Sequence, residues 1–371
     1  MIRFKKITRI VLKNLFYWSI LFIVALSINI FLWRISLGQQ NSNSGQMFDD
    51  IGERYNYCPS VIQDGETSRY IFYCANKDPG VIRDHIYYRK GIYRDDKWVW
   101  SSPFIALSPS ENGWDSIHVC DPDVVKGTFD YNGHIYTWAM FYLGCDTLDN
   151  THNQIGVALA DDLNGPWIKW SGNPIVSYPR DSWWGVGQPS IINLDRKGKI
   201  ILFYTRGSST GTTMHWRKYD LSNMNSPLIE GGGEIPTDGL TEIDGSSVIL
   251  HNGALAYDNI DYKLYLVRER HPFDNDDPSF ISSQLQIAVT SINTIWNSSG
   301  TWKVLGNISS SVSGKPRNHN GCIVKDVYGN IPDRDYIEVF YTVAETRPFP
   351  ACLWTYRIYA TKIKINLIGG E

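Results

Sequence analysis

Outside its first 34 residues, the sequence lacks any excess of positive charge. The 371 residues carry a formal net charge of −3. Residues 1–34 hold six basic and no acidic side chains, which leaves −9 for the remainder. An acidic domain lacks the positively charged surface that attracts nucleic acid or an anionic lipid membrane. Both partners are therefore excluded for residues 35–371.

The sequence also lacks the residue spacings that hold metals. It contains no CxxC pair and no His/Cys cluster with zinc spacing. The acidic stretch FDNDDP (273–278) lacks the spacing of an EF-hand and predicts a solvated loop. We therefore expect no metal and no cofactor.

The N-terminus contains an uncharged run of 20 residues, from Asn14 to Trp33. At about 1.5 Å per residue, a helix of this length spans roughly 30 Å, the thickness of a bilayer core. Five basic residues precede the run, so the positive-inside rule keeps that end in the cytoplasm. The alternative is a cleaved signal peptide, but its hydrophobic region should be shorter and end in small residues, unlike FLWR (31–34).

These features predict a domain order. Residues 1–13 form a cytoplasmic tail, 14–34 a transmembrane signal anchor, 35–50 a polar tether and 51–368 a folded domain outside the cytoplasm. The predicted location is the cell surface, the periplasm or a secretory lumen, with the bilayer contacted through residues 14–33.

No long stretch of the folded domain shows the periodicity of a helix. Its sequence instead contains a repeat of short apolar strands. Five stretches begin with Pro or Gly after a polar residue and continue into an apolar run, at spacings of 63 to 68 residues. The polar residues are Cys58, Asp121, Gln188, Asn252 and Asn320. Each stretch is followed by a turn and a second apolar, aromatic strand, such as RYIFYCA (69–75) or IILFYTRG (200–207). Short strands at even spacing predict an all-β fold, a five-bladed β-propeller.

A propeller brings distant parts of the chain to one opening. First strands line the central channel, so their starts meet the ends of the second strands at one mouth, where ligands bind. Just before two of the five starts lie His251 and His319, and the second strands end near Arg206, Arg268, Glu269 and Glu345. Asp121 is the one carboxylate among the five equivalent starts.

The six cysteines fit an extracytoplasmic domain in which disulfides persist. Cys58 begins a first strand and Cys74 ends the neighbouring second strand, and Cys120 and Cys145 stand in nearly the same relation one blade later. We predict both pairs as disulfides within blades. Cys322 and Cys352 share the fifth blade and form a weaker candidate pair. The alternative is that the cysteines are buried free thiols.

The second blade, CDPDVVKGTFDYNGHIYTWAMFYLGCDTLDNTHNQIGVALADDLNGPWIKW (120–170), and the start of the fifth, RNHNGCIV (317–324), resemble the five-bladed glycoside hydrolases of families 43, 62 and 117. The resemblance implies a propeller that acts on oligo- or polysaccharides.

In family 43, a base in blade one, an orienting aspartate in blade three and an acid in blade four do the chemistry. Carried over, these positions hold Cys58, Gln188, and His251 or Asn252, so the usual set is missing. The resemblance matches Asp123 to the blade-two aspartate and His319 to the blade-five histidine. In the family 117 branch a histidine serves as the acid.

Glycoside hydrolysis requires an acid on the leaving oxygen and a carboxylate that activates water or attacks the sugar. Asp121 is the candidate base, Glu269 and Glu345 are candidate acids, and His251 or His319 could replace them because imidazole titrates near neutral pH. The candidate substrate-binding residues are Asp123, Gln188, Arg206, His251, Asn252, Arg268, Asn320, Trp183 and Trp184. Trp114 is a third candidate sugar platform.

Each candidate also has a purely structural interpretation. An Asp before Pro often forms a turn, Glu269 lies between two arginines that could pair with it, and tryptophans pack between blades. Two functions remain open. The chain is a membrane-anchored glycoside hydrolase, or a catalytically degenerate propeller that binds a glycan or a protein.

Overall fold

Five antiparallel sheets follow one another along the chain, and we number them as blades 1 to 5. The structure, a computed structural model, describes residues 45–48, 52–180, 182–208 and 211–365. The predicted anchor, residues 14–34, lies outside this range. Within the range, no helix is long and apolar enough to cross a membrane.

The strands of the first three blades are regular and mostly buried. A short strand, β1 (Gly45–Gln46), precedes them and belongs to the last blade. Blade 1 contains β2 (Asn56–Gln63), β3 (Ser68–Asn76), β4 (Asp84–Arg94), β5 (Lys97–Trp100) and β6 (Phe104–Leu107). Blade 2 contains β7 (His118–Tyr131), β8 (His134–Cys145), β9 (Gln154–Ala160) and β10 (Ile168–Lys169). Blade 3 contains β11 (Val186–Asn193), β12 (Lys199–Ser208), β13 (Gly211–Asp220) and β14 (Leu228–Glu234).

The last two blades complete the ring. Blade 4 contains β15 (Ala254–Asp258), β16 (Lys263–Glu269), β17 (Leu285–Ser291) and β18 (Lys303–Ile308). Blade 5 contains β19 (Arg317–Ile323), β21 (Tyr336–Ala344) and β22 (Arg357–Lys364), with β20 (Lys325–Asp326) pairing to β2 of blade 1. Two one-turn helices, α1 (Asn293–Trp296) and α2 (Ser310–Ser313), and a 3₁₀ turn (Leu353–Thr355) lie in the connections.

The first strands contact one another in the cyclic order β2, β7, β11, β15, β19 and back to β2. They therefore form the innermost ring, and the five-bladed propeller predicted from the repeat is confirmed. Residues 285–291 form β17, the third strand of blade 4, and residues 97–100 form β5, the fourth strand of blade 1.

The hydrophobic core lies between blades. Each interface has its own cluster of buried side chains, such as Phe72 with Met140 between blades 1 and 2, and Tyr265 with Val339 between blades 4 and 5. Strands that bury both faces in this way read as continuous apolar runs, which is why the second strands stood out in the sequence.

The ring closes through the two ends of the described chain. Strand β1 pairs antiparallel with β22, with Gly45 opposite Ala360, and supplies the fourth strand of blade 5. Residues that the sequence analysis placed in the tether therefore take part in the propeller.

The repeat seen in the sequence corresponds to a repeated backbone feature. Its five polar residues all have positive φ, between 45° and 50°. In blades 1, 2, 3 and 5 the pairing register shifts across them, as in a β-bulge. Positive φ is uncommon for residues other than glycine and costs energy, so five such residues indicate a constraint that the fold enforces. All five line the cavity on the propeller axis.

A buried ion pair lies beside this cavity. The Asp123 carboxylate accepts hydrogen bonds from Ser60 Oγ of blade 1 at 2.8 Å and from Ile191 N of blade 3 at 2.7 Å, and it is paired with Lys325 Nζ. Asp123 is 4% exposed, and both of its oxygens are taken by protein groups. We therefore assign Asp123 to the joining of blades rather than to the substrate contact expected from the sequence.

Lys325→Met should destabilise the protein by about 3–5 kcal/mol, because it leaves a buried carboxylate without its cation. The double variant D123N/K325M should lose less, since neither charge is then unpaired. Urea denaturation measures both changes. The exposed pair of Lys199 and Glu230, 2.8 Å apart, supplies the control, and Lys199→Met should cost less than about 1 kcal/mol. A K325M variant as stable as K199M would contradict the assignment.

Candidate active site

The five positive-φ residues surround a narrow axial cavity. Its volume is about 30 Å³, and the Pro or Gly that follows each of them also lines it. A water molecule requires about 10–15 Å³ measured in this way, so the cavity holds about two waters. A cavity of this size is too small to admit a sugar ring.

Asp121 lies in this ring without a cationic partner among the residues described. It is 6% exposed, and its Oδ2 accepts a hydrogen bond from Gln188 N at 3.3 Å. Burial raises the pKa of Asp121 to about 6. Hydrogen bonds from the Cys58 thiol and Gln188 N lower this pKa, and the charge of Asp84 raises it slightly. At neutral pH Asp121 is therefore mostly ionised.

Glu269 ends β16 and is held by two amides rather than by the flanking arginines. Its Oε1 accepts hydrogen bonds from Asn252 Nδ2 at 2.7 Å and from Asn320 N at 2.9 Å, and its Oε2 lies 3.5 Å from His251 Nδ1. Burial raises the pKa of Glu269 to about 7; these two hydrogen bonds lower it and the charge of Asp121 raises it. Glu269 is 1% exposed. Near neutral pH it is about half protonated.

The two histidines expected at the mouth are there, but burial keeps them neutral. It lowers the pKa of both His251 and His319 to about 3, and the charge of His271 adds to the effect at His251. His319 packs edge-on against Tyr356 at 4.8 Å between ring centroids. At neutral pH an imidazole with so low a pKa is not in its imidazolium form and is a poor general acid, whereas burial keeps a carboxyl protonated more readily.

Other candidates are engaged elsewhere. Arg268 is fully buried, donates to Glu242 at 2.8 Å and to the Thr241 carbonyl at 2.7 Å, and has no face open to a substrate. Glu345 pairs with Lys315 at 2.5 Å and does not line the axial cavity. Arg206 lies near the end of β12, opposite Val186, and is partly buried.

The three tryptophans divide into packing and exposed groups. Trp114 packs against Tyr142 with the ring centroids 5.6 Å apart and the rings tilted by 30°, and it covers Gly144, so it packs against the core between blades 1 and 2. Trp184 packs onto Gly207, with its ring 6.2 Å from that of His251. Trp183 is 70% exposed, which leaves its ring available as a sugar platform.

The disulfide predictions were wrong. The structure contains a Cys74–Cys120 bond, and Cys58, Cys145, Cys322 and Cys352 are free. Strand register explains the error: Cys74 lies opposite Tyr57, and Cys145 lies opposite His118 rather than Cys120. Cys120 and Cys145 are therefore diagonal neighbours, too far apart for a disulfide without backbone movement, whereas Cys58 Sγ lies within 4.8 Å of Cys74 Sγ but Cys74 is bonded to Cys120. The bond that forms joins blade 1 to blade 2.

Sequence reasoning also missed Asp84, which lies behind the site. Asp84 accepts a hydrogen bond from Tyr55 Oη at 2.7 Å and lies 2.8 Å from His118 Nδ1, all three being buried. Asp84 starts the third strand of blade 1, whereas the repeat in the sequence marks only the starts of first strands and the ends of second strands.

The sequence matches no protein-family model and no curated protein. Solved structures match its fold over most of the chain. A family 117 glycoside hydrolase of the marine bacterium Zobellia galactanivorans has a TM-score of 0.56 at 13% identity, over 87% of this chain and 88% of its own. An α-L-arabinofuranosidase of Podospora anserina, solved with cellotriose, has a TM-score of 0.53 at 11% identity, over 88% and 95%.

A third structure gives the same result. A family 43 β-xylosidase/α-arabinofuranosidase from a compost microbial metagenome, solved with xylotriose, has a TM-score of 0.54 at 13% identity, over 89% of this chain and 97% of its own. The fold is that of the five-bladed glycoside hydrolases. The chain shares their architecture at identities that establish the fold alone.

Glu269→Gln should stabilise the protein increasingly as pH rises. The pKa of Glu269 is about 7 in the folded protein and near 4.5 in the unfolded chain, so the folded protein binds this proton more tightly. The wild type therefore loses stability as pH rises from about 4.5 through about 7. The glutamine introduced in E269Q does not titrate, so the variant does not lose this stability. The difference in free energy of unfolding between E269Q and wild type should grow from near zero at pH 4 to on the order of 3 kcal/mol at pH 8.

Thermal denaturation of both proteins across this pH range tests the expectation. Glu230→Gln, at an exposed carboxylate whose pKa hydrogen bonds from Lys199 and Lys218 lower, should gain nothing with rising pH. A stability difference between E269Q and wild type that stays constant with pH would show that Glu269 titrates normally.

Proposed function

We propose that the chain is a glycoside hydrolase acting on an oligo- or polysaccharide, with Asp121 as base or nucleophile and Glu269 as acid. The observation that carries this proposal is a pair of buried carboxyls at one mouth, neither neutralised by Lys or Arg among the described residues. Active sites raise carboxyl pKa values by burial in this way. The likeness of the fold to glycoside hydrolases supports the same class of reaction.

The two pKa values separate the roles. Near pH 6.5, between about 6 for Asp121 and about 7 for Glu269, the first is mainly ionised and the second mainly protonated. Glycoside hydrolysis needs this combination: a protonated carboxyl at the leaving oxygen and an ionised one for water or the sugar carbon. The sugar would lie above the axial cavity, with Trp183 available for stacking.

The second candidate function is glycan binding without hydrolysis. Glu269 is almost fully buried and satisfied by Asn252 and Asn320, and Cys58 and Gln188 stand where the resemblance places the base and the orienting aspartate. A binding propeller would keep the polar mouth and the exposed Trp183 and would have no need of proton transfer.

Activity should follow a bell-shaped pH profile with an optimum between about pH 6 and 7, rising as Asp121 ionises and falling as Glu269 loses its proton. D121N and E269Q should each lower kcat by roughly 10²–10⁴-fold. D121N should also move the alkaline limb to lower pH, because it removes the charge that raises the pKa of Glu269.

The purified chain should be assayed on arabinan, xylan, galactan and aryl-glycosides, with E230Q as the carboxyl-to-amide control. Wild-type turnover in both D121N and E269Q would contradict the catalytic roles assigned to Asp121 and Glu269. Absence of turnover, together with glycan binding that Trp183→Ala abolishes, would establish the second function instead.

We also propose that residues 14–34 anchor the propeller to a membrane, on its outer side, on the grounds of their uncharged run and the basic residues before it. The full chain should remain in the membrane fraction after alkaline carbonate extraction, and a chain starting at residue 35 should be released. Release of the full chain with an N-terminus trimmed after the run would support a cleaved signal peptide instead.

A further inference from the structure

Four cysteines lie together below the mouth. Cys74, Cys120 and Cys145 share one buried cluster with Leu143, and Cys58 packs against it. Cys74 and Cys120 are bonded, whereas Cys58 and Cys145 are free thiols.

Asp121 contacts this cluster on two sides. The Sγ atoms of Cys58 and Cys74 and a carboxylate oxygen of Asp121 all lie within 4.8 Å of one another. Asp121 Oδ1 is also 3.2 Å from Cys120 Sγ, and the Asp121 amide is 3.0 Å from Cys74 Sγ. A thiol, a disulfide and a carboxylate are thus in reach of one another without any large movement.

We propose that Cys58 exchanges with the Cys74–Cys120 disulfide, with Asp121 carrying the proton. The Cys58 thiol gives its proton to the Asp121 carboxylate, and its sulfur attacks Cys74 Sγ. The new Cys58–Cys74 bond forms as the Cys74–Cys120 bond breaks, and Cys120 leaves as a thiolate that takes the proton back from Asp121. One thiol and one disulfide stand on each side of the reaction, so no oxidant or reductant is needed.

The positions of the three groups make Asp121 the natural proton carrier. Burial raises the pKa of the Cys58 thiol well above its usual range, and the charge of Asp121 raises it further, so free Cys58 thiolate is scarce. A base in contact with the thiol accepts the proton as the sulfur attacks, so that free thiolate does not have to accumulate. Asp121 contacts both the attacking sulfur of Cys58 and the departing sulfur of Cys120, so the proton travels only within the cluster.

The exchange would change which parts of the propeller are joined. The Cys74–Cys120 bond connects the second strand of blade 1 to the first strand of blade 2, whereas a Cys58–Cys74 bond lies within blade 1. The isomer with the Cys74–Cys120 bond links blades 1 and 2 beside Asp121. The isomer with the Cys58–Cys74 bond leaves these two blades without a covalent link. This inference does not depend on a hydrolytic role for Asp121.

Disulfide mapping tests the exchange. The full chain is equilibrated in a buffer of reduced and oxidised glutathione, quenched in acid, alkylated under denaturing conditions and digested without reduction. Mass spectrometry should find both Cys74–Cys120 and Cys58–Cys74 peptides, the minor one above about 1%. C58S should show Cys74–Cys120 alone, and C352S, altered outside the cluster, should keep the wild-type ratio.

Quantitative alkylation of Cys58 in the wild-type chain, with no Cys58–Cys74 peptide, would overturn the exchange. The proton role has its own readout. The two isomers, separated at acid pH and returned to neutral pH, should re-equilibrate at least about tenfold more slowly in D121N. An unchanged rate in D121N would overturn the role of Asp121 while leaving the exchange itself established.

Discussion

A residue with left-handed backbone conformation at the start of each innermost strand is the constraint on which the site depends. The five residues that adopt it belong to five blades and lie 63 to 68 residues apart, yet all line one small cavity. Because this backbone conformation fixes where each of the five residues lies, the chemistry of the mouth is decided by which side chain each position carries. In this chain four of them are neutral at ordinary pH, and Asp121 supplies the charge.

The structure treats its central carboxylates in two ways. Asp123, two residues after Asp121, is neutralised by Lys325 and joins three blades. Asp121 and Glu269 are buried to a similar degree but are held by thiol, amide and peptide groups, which do not offset the cost of burying a charge. That cost keeps a proton on one of them near neutral pH. A protein gains no stability from such a pair, which supports a functional reason for it.

The sequence was sufficient for the fold because each blade repeats the same pattern of Pro or Gly followed by two apolar strands. It also identified Asp121 and the residues of the axial ring, since these occupy equivalent places in the repeat. It could not identify the disulfide, because a one-residue difference in register decides whether Cys74 faces Cys58 or the next blade. Nor could it foresee that Arg268 pairs with Glu242 and not with its neighbour Glu269, since Glu242 lies 26 residues away in the chain. The raised pKa of Glu269 likewise arises from burial that only the folded ring creates.

Infrared difference spectroscopy between acid and alkaline pH measures the protonation of Glu269 directly. We expect a protonated carboxyl band that disappears with a midpoint near pH 7, is missing in E269Q, and shifts to lower pH in D121N. A carboxyl spectrum in which E269Q removes no band above pH 6 would contradict it, because Glu269 would then be ionised throughout the neutral range.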